Sequence, residues 1–185
     1  MHASFTLDQQ YLALVTHLTT DLPKRPIFLL DGGSGSGKTQ LANRLYADLK
    51  PRICDLQLIC LDDFYPGWHG LAQASKLVPE LISGRAVGYR RWDWRLDKAS
   101  QWVEVNPNQS MFIVGCGAIT PASAALANHT IWYEMASQIR KRLALARDGE
   151  TYRDWWDVWA AQEERHWRIN QPKKLASIWV SRNLE

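Results

Sequence analysis

The sequence predicts an α/β fold, a three-layer sandwich in which a parallel five-stranded sheet carries helices on both faces. Three observations predict it. Short apolar runs alternate with helical patterns along the chain, as β–α–β units require. The earliest of these runs is continuously apolar, as in a strand buried on both faces. The first of them, Ile27-Phe28-Leu29-Leu30, ends at Asp31 and is followed at once by Gly-Gly-Ser-Gly-Ser-Gly-Lys-Thr at 32 to 39; Leu41, Ala42, Leu45 and Leu49 then recur at helical spacing until Pro51 stops the helix.

The other elements follow in order. Leu7, Tyr11, Leu14, Val15 and Leu18 mark a packed helix within Met1 to Leu22. Leu56 to Leu61 reads as a second strand ending in Asp62-Asp63, and Gln73 to Ile82 as a helix stopped by Ser83-Gly84. Residues 85 to 110 are aromatic and charged, with irregular or short β structure. Met111 to Val114 is a third strand, leading into Gly115-Cys116-Gly117. Pro121 to Ala127 suits a short helix capped by Thr120. Thr130 to Glu134 is a fourth strand, Ser137 to Arg147 a basic helix closed by Asp148-Gly149, Thr151 to Arg168 a further helix, and Ala176 to Ser181 the fifth strand. Ligands of such sheets sit at the carboxyl ends of the strands, where the glycine loop, Asp62-Asp63 and Gly115-Cys116-Gly117 all fall.

Bulk properties narrow the function. At 185 residues the chain is expected to be a single domain, 1–185, with a full core. A net charge of +3 is too small to argue for nucleic acid. No run approaches the ~20 apolar residues of a membrane span, and Met1 to Leu22 lacks the basic start of a signal peptide. The expectation is a cytoplasmic protein, a monomer or homodimer. Cys54, Cys60 and Cys116 show no CxxC spacing and read as reduced thiols.

The glycine loop matches GxxxxGK[ST] in full, and its strand and helix brackets distinguish it from a Gly/Ser linker. Gly32, Gly33, Ser34, Gly35, Ser36 and Gly37 can turn successive backbone N–H groups toward an anion. Lys38 can reach the β- and γ-phosphates of ATP, and the Thr39 hydroxyl can ligate Mg²⁺. Asp62 and Asp63 stand where an apolar strand stops. A carboxylate there could accept a proton from an attacking hydroxyl or hold Mg²⁺ through water.

With Asp62-Asp63-Phe64-Tyr65 placed after the second strand, the chain resembles the uridine kinase-like group of P-loop kinases over roughly residues 25 to 181. The resemblance implies that Asp62 is the catalytic base and a Mg²⁺ partner, and that Asp63 and Tyr65 border the phosphate acceptor. Tyr89-Arg90-Arg91-Trp92-Asp93-Trp94 looks like the group's acceptor-side segment, so Trp92 would contact the acceptor and Asp93 hold one of its hydroxyls. Leu145-Ala146-Arg147-Asp148-Gly149 resembles the group's lid, with Arg142 and Arg147 reaching over the phosphates. Residues 64–110 then form an acceptor-side insertion, and 140–168 the lid with its following helix.

The chain departs from that pattern at one place. The group's third strand usually ends in an acid that helps with Mg²⁺; here the position is Val114, leaving Asp62, Asp63 or Glu134 to compensate. The leading expectation is ATP-dependent phosphoryl transfer to a small hydroxylated metabolite, such as a nucleoside. The alternative is a P-loop ATPase or nucleotide-binding regulator with no small-molecule acceptor, which the missing acid favours. A GTPase is disfavoured, because Asp-x-x-Gly and Asn-Lys-x-Asp motifs are absent. Trp155, Trp156, Trp159 and Trp167 share one predicted helix and read as a packing face. Trp68, Trp92 and Trp94 lie near the proposed acceptor site, where an aromatic wall could stack on a planar substrate.

Overall fold

The computed structural model describes residues 2–182. Among the described residues eight strands and eight α-helices follow in order: β1 (Ala3–Thr6), α1 (Leu7–Thr19), β2 (Ile27–Asp31), α2 (Lys38–Leu49), β3 (Gln57–Cys60), α3 (Leu71–Ser83), β4 (Gly88–Asp93), β5 (Lys98–Glu104), β6 (Met111–Val114), α4 (Pro121–Ala124), β7 (His129–Glu134), α5 (Ser137–Asp148), α6 (Glu150–Arg153), α7 (Trp156–Asn170), α8 (Pro172–Leu175) and β8 (Ile178–Ser181). The main sheet is parallel throughout, in the order β1-β8-β7-β2-β6-β3.

The sheet has six strands, one more than the pattern predicts. The extra strand is β1, four residues of Ala-Ser-Phe-Thr that pair in parallel with β8, Ala3 opposite Ile178 and Thr6 opposite Ser181. It is a short edge strand with little apolar run to announce it. Residues 85 to 110 contain a hairpin, β4 against β5, with a register shift between Arg90 and Trp92. The expected helix from Thr151 is two helices, α6 and α7, broken at Asp154 and Trp155. Thr120 caps α4 as expected, accepting from the Ser123 N–H at 3.1 Å.

Alternation along the strands divides the core into two layers. Ile27 and Leu29 of β2, with Ile59, Met111 and Ile113, face α3 and α7. Phe28 and Leu30, with Phe112, Val114 and Ile131, face α1 and α2. Burying each such aliphatic side chain contributes about 1.5–3 kcal/mol, so the two layers hold the sheet rigid beneath its carboxyl edge. Among the described residues no helix is long and apolar enough to cross a membrane.

Candidate functional site

The glycine loop leaves β2 through Asp31, a fully buried carboxylate. Asp31 accepts the N–H of Gly32 at 2.7 Å, of Gly117 at 3.1 Å and of Ile119 at 2.9 Å, tying the loop to the exit of β6. Burial pushes its pKa above the usual carboxylate range, against the pull of His166 and those N–H groups. Gly35 and Gly37 adopt φ of +78° and +86°, a region that a Cβ disfavours. Gly33 is required for another reason. A Cβ there would run into the guanidinium of Arg140, which lies directly against the loop.

Helix α2 begins at Lys38, so the positive end of its dipole faces the loop. Lys38 is almost wholly buried and donates to the Gly33 carbonyl at 3.4 Å. Burial works against its charge, and the Asp62 and Glu163 carboxylates nearby favour it. The Ser36 hydroxyl, at the turn into the helix, is buried without a protein partner. Thr39 is exposed on the first turn.

A cavity of about 840 Å³ opens from Gly35, Ser36 and Gly37. Its walls include Tyr11 and Leu12 of α1, Arg44 of α2, and Leu143 and Arg147 of α5. Positions 140, 143, 144 and 147 share one face of α5, the spacing of a single helical stripe. Arg140 and Ala144 are buried there, and Arg147 reaches the cavity. Arg142 is exposed, and helical phase puts it on the opposite face. Of the two lid arginines expected from sequence, α5 therefore turns only Arg147 toward the loop.

The side expected to face an acceptor is built differently. Asp62 is exposed in the single turn Leu61–Asp63 after β3, and its carbonyl accepts from Trp94 Nε1 at 3.1 Å. Asp63 is engaged by Arg91 at 3.4 Å and by the Tyr89 hydroxyl at 3.5 Å. Tyr65 is fully buried, packs edge-on against Trp159 and donates to the Cys116 carbonyl at 2.8 Å. Asp93 uses one oxygen to accept the N–H groups of Arg95 and Leu96, both at 3.0 Å, which closes the hairpin turn. Trp92 is half-buried, and its indole N–H is buried without a protein partner. Trp68 stacks on Trp155 with ring centroids 5.6 Å apart and planes 3° from parallel, and also meets Trp94, Tyr152 and Trp159.

Val114 packs in the core layer facing α1 and α2, so no acid stands at the end of β6. Glu134 is held by Trp132 Nε1 and Lys173, each at 2.7 Å. Among the described residues no group of three or more His, Cys, Asp or Glu gathers to hold a metal. Thr39 and Asp62, the groups expected to meet Mg²⁺, are both exposed.

Sequence reasoning missed the groups that grip the loop. Glu163 of α7 is 1% exposed and accepts the Ser34 N–H at 2.6 Å, while Arg140 donates to the Ser34 carbonyl at 2.8 Å. Nothing in the local pattern around Glu163 marks it, because its partner lies 129 residues away. Asp31 carried a signal, a carboxylate at the end of an apolar strand, that the glycine motif overshadows.

No protein-family model matches the chain, and no curated sequence matches it. Solved structures do. A possible uridine kinase from Bacillus stearothermophilus superimposes with a TM-score of 0.66 at 16% identity, covering 94% of this chain and 98% of that one. A candidate fructose transport system kinase from Silicibacter sp. TM1040 gives 0.56 at 18% identity, over 95% and 98%. The YGR205w protein gives 0.50 at 12% identity, over 95% and 92%. The chain thus has the fold of the uridine kinase-like and related P-loop kinases over nearly its whole length.

Proposed function

From the P-loop kinase fold we propose that the chain binds ATP with Mg²⁺ and transfers the γ-phosphoryl group to a hydroxyl of a small metabolite. The observation that carries the reading is the buried, unpartnered Ser36 hydroxyl at the start of α2, beside a cationic Lys38 and at the foot of a cavity large enough for a nucleotide. Buried polar atoms are almost always partnered, and a phosphate oxygen supplies the missing acceptor here. Backbone N–H groups of Gly35 to Lys38 would hold the phosphates, and the nucleoside would extend toward Tyr11 and Arg44.

Asp62 takes the acceptor's proton as the acceptor oxygen bonds to the γ-phosphorus. The bond from that phosphorus to the bridging oxygen breaks, and ADP leaves. Thr39 and Asp62 are the residues suited to Mg²⁺, which when bound neutralises phosphate charge. Arg147 stabilises the charge on the transferring group.

The alternative, a nucleotide hydrolase or nucleotide-responsive regulator, is favoured by one observation: Val114 is core where related kinases place an acid. A coupled ADP-release assay across nucleosides, vitamins and sugars, with the acceptor-free rate as baseline, separates the two. A kinase gives a rate that one acceptor class raises well above baseline. In Asp62→Asn that acceptor-dependent rate falls by about 10²–10⁴-fold while ATP affinity stays close to wild type. A flat response across acceptors supports the alternative. Full activity of Asp62→Asn at every Mg²⁺ concentration rejects Asp62 as base.

A further inference from the structure

We propose that Arg140 and Glu163 are positioning residues that brace the glycine loop in its anion-ready shape, a role that rests on reading that loop as the nucleotide site. All three polar groups of Ser34 are taken by three successive helices. Its N–H goes to Glu163 of α7 at 2.6 Å and its carbonyl to Arg140 of α5 at 2.8 Å; its hydroxyl shares a hydrogen bond with the Tyr152 hydroxyl of α6 at 2.6 Å. The two charged groups also meet each other, at 3.2 Å, with side chains only 7% and 2% exposed.

The Glu163 carboxylate has little capacity left. Besides the Ser34 N–H and Arg140, one of its oxygens accepts from Trp159 Nε1 and from Cys116 Sγ, each at 3.1 Å. Burial holds the Cys116 thiol well above its ordinary pKa, which keeps it protonated and donating.

A buried ion pair is a poor device for stability alone, since apolar residues of the same volume often do as well. What apolar residues cannot do is hold the N–H and the carbonyl of one residue from two directions. The glycines make such a hold necessary, because a chain with this much conformational freedom loses entropy whenever it adopts one shape. Bracing at Ser34 meets that cost during folding, before an anion arrives. The adjoining residues Gly35, Ser36 and Gly37 are left to line the cavity. The bracing also explains Gly33, whose missing Cβ admits the Arg140 guanidinium.

The test uses the full chain, with ATP and inorganic tripolyphosphate as probes, by titration calorimetry at a temperature where circular dichroism shows each variant folded. Glu163→Gln keeps the shape and removes the charge, and both affinities should fall about tenfold or more. Trp159→Phe keeps an aromatic ring at that place and removes one donor to Glu163, and a loss of about two- to fivefold is expected. The second variant decides the matter where the first does not fold. Unchanged affinity for both probes, with only the melting temperature lowered, would overturn the proposal and leave a structural ion pair. Tighter binding of both probes in Glu163→Gln overturns it too, because Glu163 would then be an anion competing for the loop. Wild-type protein that binds neither probe rejects the nucleotide reading itself.

Discussion

The two halves of the carboxyl edge are prepared for ligands in opposite ways. On the proposed nucleotide side, a polar atom is left over: the Ser36 hydroxyl is buried without a protein partner, and a cavity of about 840 Å³ lies open beside it. On the expected acceptor side the Trp92 indole N–H is also without a protein partner, but the other expected contact groups are committed within the protein. Asp63 holds Arg91, Asp93 closes a turn, Tyr65 supports the Cys116 carbonyl and Trp68 is stacked against Trp155. A ligand on the first side completes an arrangement; on the second it has to displace one. The brace at Ser34 belongs with the first half, since it leaves the rest of the loop to the cavity.

The largest effect should separate the two arginines of α5. Arg147→Ala is expected to lower turnover about 10³-fold, measured by ADP release, with a melting temperature close to wild type. Arg142→Ala, on the outer face, should stay near wild-type turnover. Equal losses in the two variants would show that the outer face of α5 swings over the phosphates, which would break the picture of a preformed nucleotide side.

Next comes the aromatic stack. Trp68→Ala should cost about 2–3 kcal/mol of stability in denaturant unfolding, while ATP affinity by calorimetry stays unchanged. A variant with full stability would mean the acceptor half is already loose. The smallest effect is expected from Tyr65→Phe. It leaves the Cys116 carbonyl without its donor and should cost about 1 kcal/mol, with the acceptor KM unmoved. A raised KM at full stability would instead place the hydroxyl against the acceptor.

The nucleotide half was legible in the sequence because its determinants are local. A strand, six loop residues and a helix follow one another between 27 and 49, and each part restricts the next. Five strands of the sheet were legible for the same reason, as largely apolar runs with fixed punctuation. What escaped was set by partners distant in the chain. Ser34 and Glu163 meet across 129 residues, so no spacing rule links them. The basic run Arg140-Lys141-Arg142 did not reveal its rotation; only the buried Arg140 and Ala144, four apart, set the phase of α5. The departure at Val114 was visible as a residue, and its place in the core layer between β6 and α2 explains why no carboxylate could sit there unpaired.

The pairing of β1 with β8 carries a consequence for how the molecule is made. Helix α1 continues directly from β1 and supplies Leu7, Tyr11 and Leu12 to the cavity wall. Its strand can dock only when Ile178 to Ser181 have been synthesised, although Ala3 to Thr6 precede them in synthesis. A nascent chain therefore owns the whole glycine loop long before it owns the wall beside it. Closing so long a loop is a slow, late event. A nucleotide that fills the cavity would favour only chains that have completed it, by mass action.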